Sequence, residues 1–170
     1  MIAICWRTIM KPNVTVQKVM HQAIEKARET MNNNLGGPFG AAIIDELGDV
    51  VAVTSNSVLN DHDPTAHAEM NAIREASKKR ASHDLSGCTL ITTAYPCPMC
   101  LGAIIWANIT TVIYGCRPKD AERIGFRDDF IYDFIKKDCN DPSVLQLSED
   151  FRDRCLKLFE EYKEKNKTIY

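Results

Sequence analysis

The sequence contains little that would direct it to a membrane or to a polyanion. No apolar run approaches the roughly 20 residues of a membrane-spanning helix. The short apolar N-terminus lacks a basic leading segment and is interrupted by Arg7, so it is a poor signal peptide. The formal net charge is only -2, too weak to attract nucleic acid over a distance. These absences predict a soluble, cytoplasmic protein that acts on a small neutral molecule.

Cysteine, by contrast, is plentiful. Seven cysteines among 170 residues form an odd number, and two of them lie in the pattern Cys97-x-x-Cys100. A disulfide framework needs paired cysteines and an oxidising compartment. The pattern instead favours metal or thiol chemistry in a reducing compartment.

The apolar residues alternate between helical and strand spacing along one continuous unit. With 45% hydrophobic residues, a chain of this length has enough for one core and too little for two. We predict a single domain spanning residues 1–170, of the α/β class: a three-layer α/β/α sandwich around a mixed central sheet. Strands are predicted at Ala41–Ile44, Val50–Val53, Cys88–Thr93, Thr111–Gly115 and Val144–Leu147, and helices at Val16–Met31, Thr65–Lys79, Leu101–Ala107, Phe130–Lys136 and Glu149–Lys165. The second helix is expected to begin at the Asp63-Pro64 pair, a typical N-cap followed by proline.

Three residues form a candidate metal site. His67, Cys97 and Cys100 offer imidazole and thiolate ligands, which favour zinc, and three protein ligands leave the fourth tetrahedral position open to water, as in catalytic sites. Such a water loses its proton near neutral pH and becomes a nucleophile. We therefore expect one Zn²⁺ per subunit.

Glu69 completes a recognisable combination. His67-Ala68-Glu69 followed by Pro96-Cys97-Pro98-Met99-Cys100 is the signature of zinc-dependent nucleobase deaminases, in which the glutamate is the general acid and base rather than a ligand. Glu69 is expected to take a proton from water and to deliver protons to the ring nitrogen and the departing amine. On an ideal helix, residues two apart are about 200° apart in angle, so His67 and Glu69 can face one site only if it straddles the first turn.

With these motifs in place, the chain resembles the guanine deaminases of the cytidine-deaminase superfamily, from about Gly36 to Tyr170. The segments that carry the resemblance are Gly37-Pro-Phe-Gly-Ala, Asp63-Pro-Thr-Ala-His-Ala-Glu, Cys97-Pro-Met-Cys-Leu-Gly-Ala-Ile, Gly125-Phe-Arg-Asp-Asp-Phe-Ile-Tyr and the terminal Tyr170. The last two are more particular to guanine and guanosine deaminases. The resemblance implies hydrolysis of guanine to xanthine and ammonia in purine catabolism or salvage.

The resemblance also implies a substrate pocket. Asn56 would contact the purine edge, Phe39 and Trp106 would form apolar walls, and Asp128 would contact the base and help to relay protons. Independently of the resemblance, backbone N–H groups near Ala68 or Cys97 are expected to stabilise developing negative charge. Tyr170 would close the pocket. In similar enzymes this C-terminal segment, about residues 140–170 here, swaps onto the partner subunit of a homodimer.

Two positions depart from the family pattern. Tyr95 stands before Pro96, where guanine and tRNA adenosine deaminases usually have glutamate. Asp128 is followed by a second acid, Asp129, so the carboxylate that contacts the base is one of these two, and we assign the role to Asp128.

Several alternatives stay open from the sequence. The substrate is guanine, guanosine, cytosine or an adenosine at a tRNA wobble position, although the net charge of -2 argues against nucleic acid. In a different class, the zinc is structural and the domain is an inactive binding subunit. Glu69, which an inactive relative would be expected to lose, favours the enzyme.

Overall fold

A four-stranded mixed sheet lies at the centre of the first part of the chain. The computed structural model describes residues 14–169, and its strands are β1 (Gly40–Ile44), β2 (Val50–Ser55), β3 (Thr89–Ala94) and β4 (Thr111–Cys116). Their order is β2-β1-β3-β4. β1 pairs antiparallel with β2 and β3, whereas β3 and β4 run parallel, so β3 is held by hydrogen bonds on both sides.

Helices pack on both faces of this sheet. The helices of this part are α1 (Val14–Asn32), α2 (Val58–Asp61), α3 (Ala68–Arg80), α4 (Pro98–Trp106) and α5 (Pro118–Glu122). Because successive strand residues point to opposite faces, Ala42 packs with Val19 of α1, whereas its neighbour Ile43 packs with Ala72 of α3 and Ile104 of α4. The predicted three-layer α/β/α architecture with a mixed sheet is confirmed.

The chain divides into two compact units, Met1–Asp128 and Asp129–Tyr170. The second unit contains α6 (Asp129–Lys136) and α7 (Arg152–Glu164). A single domain over residues 1–170 stays a prediction. Over residues 14–169, none of the helices is both long and apolar enough to cross a membrane.

The helix predicted from Thr65 begins later, at Ala68. Asp63 does not cap it, because its Oδ1 accepts hydrogen bonds from the backbone N–H and the hydroxyl of Thr65, both at 2.7 Å. This local turn keeps residues 63–67 outside the helix. The N-cap position falls to His67, which decides the geometry of the site.

The strand predicted at Val144–Leu147 does not form. Asp141 accepts hydrogen bonds from the backbone N–H of Ser143 at 3.2 Å and from its hydroxyl at 2.6 Å, and its carbonyl accepts from the N–H of Val144 at 3.0 Å. The backbone therefore forms a turn where the apolar run begins. The extended conformation that a strand needs for pairing is lost there.

Candidate active site

Two helix N-termini bring the predicted metal ligands together. His67 is the N-cap of α3 and Cys97 the N-cap of α4, and both have extended backbones, with φ/ψ of -70°/155° and -67°/169°. Cys100 lies in the first turn of α4, after Pro98 at its first position. Both helices direct their N-terminal ends, where backbone N–H groups carry partial positive charge, toward the same place.

The spacing of the three side chains fits a tetrahedral metal. His67 Nδ1 lies 3.6 Å from Cys97 Sγ and 3.7 Å from Cys100 Sγ, and all three ligand atoms lie within 4.8 Å of one another. Tetrahedral zinc, with Zn–S bonds of about 2.3 Å and Zn–N bonds of about 2.0 Å, separates sulfur and nitrogen ligands by about 3.5 Å. The donor set and its dimensions thus suit zinc.

The three groups perturb one another strongly. The hydrogen bond with Cys100, together with the one with His67, lowers the pKa of Cys97, whereas the same contact with Cys97, together with burial, raises the pKa of Cys100. The hydrogen bond with Cys97 raises the pKa of His67. One thiolate is therefore favoured before any metal arrives, and a cation that binds both sulfurs relieves the repulsion between two thiolates.

Glu69 lies against this cluster. Its side chain is only 6% exposed, its Oε2 is 3.6 Å from Cys100 Sγ, and its Oε1 accepts a hydrogen bond of 3.1 Å from the Thr92 hydroxyl. Burial raises the pKa of Glu69. Because His67 precedes the helix and Glu69 lies within it, the angular separation expected on an ideal helix does not apply, and both face one site.

Hydrogen bonds hold the side chain of Asn56 in one orientation. Its Oδ1 accepts hydrogen bonds from the backbone N–H groups of Gly37 at 3.0 Å and Val58 at 3.3 Å. Since both partners are donors, the amide oxygen must face them and the NH₂ group must face away. Gly36 is required here, because a Cβ on it would lie 2.0 Å from the Asn56 carbonyl oxygen and 2.6 Å from Oδ1.

Asn71 joins the Asn56 segment to the His67 segment, and no motif or spacing in the sequence singles it out. Its Nδ2 donates to the Ser55 carbonyl at 3.0 Å and to the Ser57 hydroxyl at 2.9 Å. The backbone N–H of Ser57 in turn donates to Ala66 at 2.9 Å. Thr92 was missed in the same way, since a threonine in a predicted strand carries no sign that it faces a carboxylate.

Phe39 and Asp128 also lie in the unit that contains the ligands. Phe39 packs edge-on against Phe126, with ring centroids 4.9 Å apart, and borders the core beneath α3. Asp128 is partly buried, whereas Asp129 is exposed and begins α6. The Asp128 carboxylate adds to the upward shift in the pKa of His67, behind the larger effects of Cys97 and Glu69. The choice of Asp128 over Asp129 as the acid that contacts the base stays a prediction.

Trp106 is not brought to the ligand cluster. It is the last residue of α4 and 77% exposed, about 9 Å along the helix axis from Cys100. The pocket wall that the resemblance implies at Trp106 stays a prediction. Tyr170 lies outside the described residues.

Ala68 and Tyr95 complete the set of positions singled out by the sequence. Ala68 is buried and is the first residue of α3, where a backbone N–H has no acceptor within the helix. Tyr95 is 37% exposed and packs edge-on against Tyr114, with ring centroids 5.1 Å apart. The phenol thus belongs to a surface aromatic pair next to the Cys97 segment.

An α/β sandwich with a His/Cys/Cys cluster at two helix N-termini and a buried glutamate beside it defines a zinc-dependent deaminase domain. The chain belongs to the family described as the cytidine and deoxycytidylate deaminase zinc-binding region, which matches residues 14–116.

Relatives of known name cover most of the chain. It is 43% identical over 125 residues to a guanine deaminase from Bacillus subtilis (strain 168), covering 74% of this chain and 80% of that one. The X-ray structure of guanine deaminase from Bacillus subtilis superposes with a TM-score of 0.81 and 37% identity, over 91% of this chain and 98% of that chain. A tRNA-specific adenosine deaminase from Haemophilus influenzae is 30% identical over 152 residues, 89% of this chain and 87% of that one.

Proposed function

We propose that the protein hydrolyses guanine to xanthine and ammonia. The observation that carries the proposal is the buried Glu69 carboxylate beside a zinc-compatible ligand triad, in a chain that covers 80% of a guanine deaminase at 43% identity. One water adds to the carbon that bears the exocyclic amine, and the amine leaves as ammonia. The product has a new carbonyl in place of the amine.

Glu69 moves the protons in this scheme. Its carboxylate takes one proton from the attacking water and gives it to a ring nitrogen. It then takes the second proton of that water, from the hydroxyl now on the substrate carbon, and passes it to the departing amine as the carbonyl forms. A zinc ion on His67, Cys97 and Cys100, one per subunit, supplies a water nucleophile at neutral pH when it is bound. The N–H of Ala68, at the positive end of α3, stabilises the negative charge that develops on the substrate.

The base is recognised by residues around this centre. The NH₂ group of Asn56, turned away from its two backbone donors, donates to an acceptor on the purine edge. Asp128 accepts from a ring or amine N–H and helps to relay protons, and Phe39 contacts the ring face.

A panel of substrates tests this assignment. We expect the zinc-loaded enzyme to release ammonia from guanine, and Glu69→Ala to abolish the release while the protein keeps its zinc. Guanosine, cytosine and a tRNA anticodon stem-loop are the competing substrates, the last because of the relative from Haemophilus influenzae. Preference for guanosine would replace guanine as the substrate, and zinc-loaded protein that releases ammonia from none of them would contradict an enzymatic role.

We further propose that the enzyme is a cytoplasmic homodimer of purine catabolism or salvage, in which residues 140–170 of one subunit complete the site of the other. On α7, Leu158 and Phe159 are 64% and 67% exposed, an apolar surface that a second copy would cover. Light scattering measures the oligomeric state.

Mixed dimers test the exchange of segments. Glu69→Gln and Tyr170→Ala subunits, each inactive or weak alone, should regain one complete site when co-expressed, because the first contributes its tyrosine to the intact Glu69 of the second. Mixed dimers no more active than the two parents would show that each site is closed by its own chain.

A further inference from the structure

Thr92 is the residue that contacts Glu69 from the sheet. It is 1% exposed and lies on β3, where Ala41 pairs with it on one side and Tyr114 on the other. A backbone fixed by two neighbouring strands has little freedom to move. The Thr92 hydroxyl therefore presents its hydrogen bond to Glu69 from a rigid position.

This contact distinguishes the two oxygens of the Glu69 carboxylate. Oε1 accepts the Thr92 hydrogen bond at 3.1 Å, and Oε2 lies 3.6 Å from Cys100 Sγ, on the side of the ligand cluster. The terminal torsion of a glutamate is broad and nearly two-fold, so without a fixed donor the carboxylate plane rotates. A plane that turns away from the reacting atoms loses the alignment that proton transfer needs.

We infer that Thr92 is a positioning residue for Glu69: its hydroxyl holds Oε1 so that Oε2 faces the reacting water and the ring nitrogen. The contact that carries the inference is the hydrogen bond from Thr92 to Glu69, so Thr92 acts on the reaction through Glu69. The inference rests on the proposed deaminase function, because it concerns how the general base of that reaction is oriented.

Removing the hydroxyl tests the inference. Thr92→Val keeps the shape and the β-branch, and we expect it to lower kcat about 10- to 100-fold, because a misplacement of a catalytic group by about 1 Å can cost about 100-fold in rate. KM for guanine should stay within about twofold, since substrate binding does not use this bond. Zinc content by elemental analysis should equal that of the wild type. Thr92→Ser, which restores a hydroxyl, should recover most of the lost kcat.

Thr93→Val is the matched control. Thr93 is the next residue on β3, and its Oγ1 accepts a hydrogen bond from the backbone N–H of Gly40 at 3.0 Å, so this variant also loses one hydroxyl contact without approaching Glu69. We expect its kcat to stay near the wild-type value. Its melting temperature should be similar to that of Thr92→Val.

Three results would overturn the inference. They are an unchanged kcat in Thr92→Val, an equal loss in Thr93→Val, or a loss that Thr92→Ser does not reverse. Failure of the proposed function is a separate result, because the wild-type enzyme itself would then release no ammonia from guanine.

Discussion

Replacement of Gly36 by alanine should damage the site without touching a ligand or the general base. A Cβ at this position would lie 2.0 Å from the Asn56 carbonyl oxygen and 2.6 Å from Asn56 Oδ1. Protein carbon atoms of this kind do not approach a heavy atom closer than 3.0 Å, so the Asn56 segment must move by about 1 Å or more. Both the backbone and the recognition side chain of Asn56 are displaced by the same methyl group.

A displacement of about 1 Å in a residue that orients the substrate costs on the order of 100-fold in catalytic efficiency. We therefore expect kcat/KM for guanine to fall about 100-fold in Gly36→Ala, with a raised KM as part of the loss because we propose that Asn56 binds the base. The three atoms that the new methyl group would approach most closely all belong to Asn56, so we expect the zinc content to stay close to that of the wild type.

Ammonia release at varied guanine concentration, with elemental analysis of the same samples, measures both quantities. Gly102→Ala is the matched control, because a Cβ there meets no atom within 4 Å and Gly102 lies within α4, where alanine is favoured over glycine by about 1 kcal/mol. A folded Gly36→Ala enzyme with its full zinc content and an undiminished kcat/KM would refute the placement of Asn56 against Gly36.

Three further substitutions probe the other parts of the site. Glu69→Gln should lower kcat by about 10²- to 10⁴-fold with unchanged zinc content, and a kcat close to that of the wild type would exclude Glu69 as the general base. Cys97→Ser should lower zinc content and activity together, since a hydroxyl is a poor zinc ligand; activity that survives in zinc-free protein would contradict a catalytic metal. Asn71→Ala should lower the free energy of unfolding by about 1–3 kcal/mol, because it leaves the Ser55 carbonyl without its side-chain donor. Denaturant unfolding measures this loss against Asn60→Ala, whose exposed amide contacts only a neighbouring carboxylate.

The chemistry of the site follows from the sequence because it rests on residue types that few other roles require together. His67, Glu69, Cys97 and Cys100 fall in two short segments, and each segment carries its own spacing rule. The pattern of apolar residues likewise predicts the layers, since the short β-prone run Ala41–Ile44 and the helical spacing in α1 are local properties.

The orientation of side chains does not follow, because it depends on which residues meet after folding. Thr92 and Thr93 are equivalent in sequence, yet one faces Glu69 and the other Gly40. Asp63-Pro64 has the composition of a helix start, but the hydrogen bonds of Asp63 to Thr65 retain it in a turn. For Trp106, the family pattern implies a pocket wall, whereas its position as the exposed last residue of α4 follows only from the fold.

The two helix ends at the site begin without the usual side-chain caps. Neither His67 nor Cys97 makes a capping hydrogen bond to its helix, whereas a serine or aspartate there would contribute about 1 kcal/mol. The order of the first turns of α3 and α4 therefore depends on the interactions that join His67 to Cys97 and Cys100, which a shared metal ion would strengthen. Amide hydrogen exchange at these turns should quicken when a chelator is added while exchange in β1 and β3 stays slow, which makes local fraying of two helices a direct measure of metal occupancy.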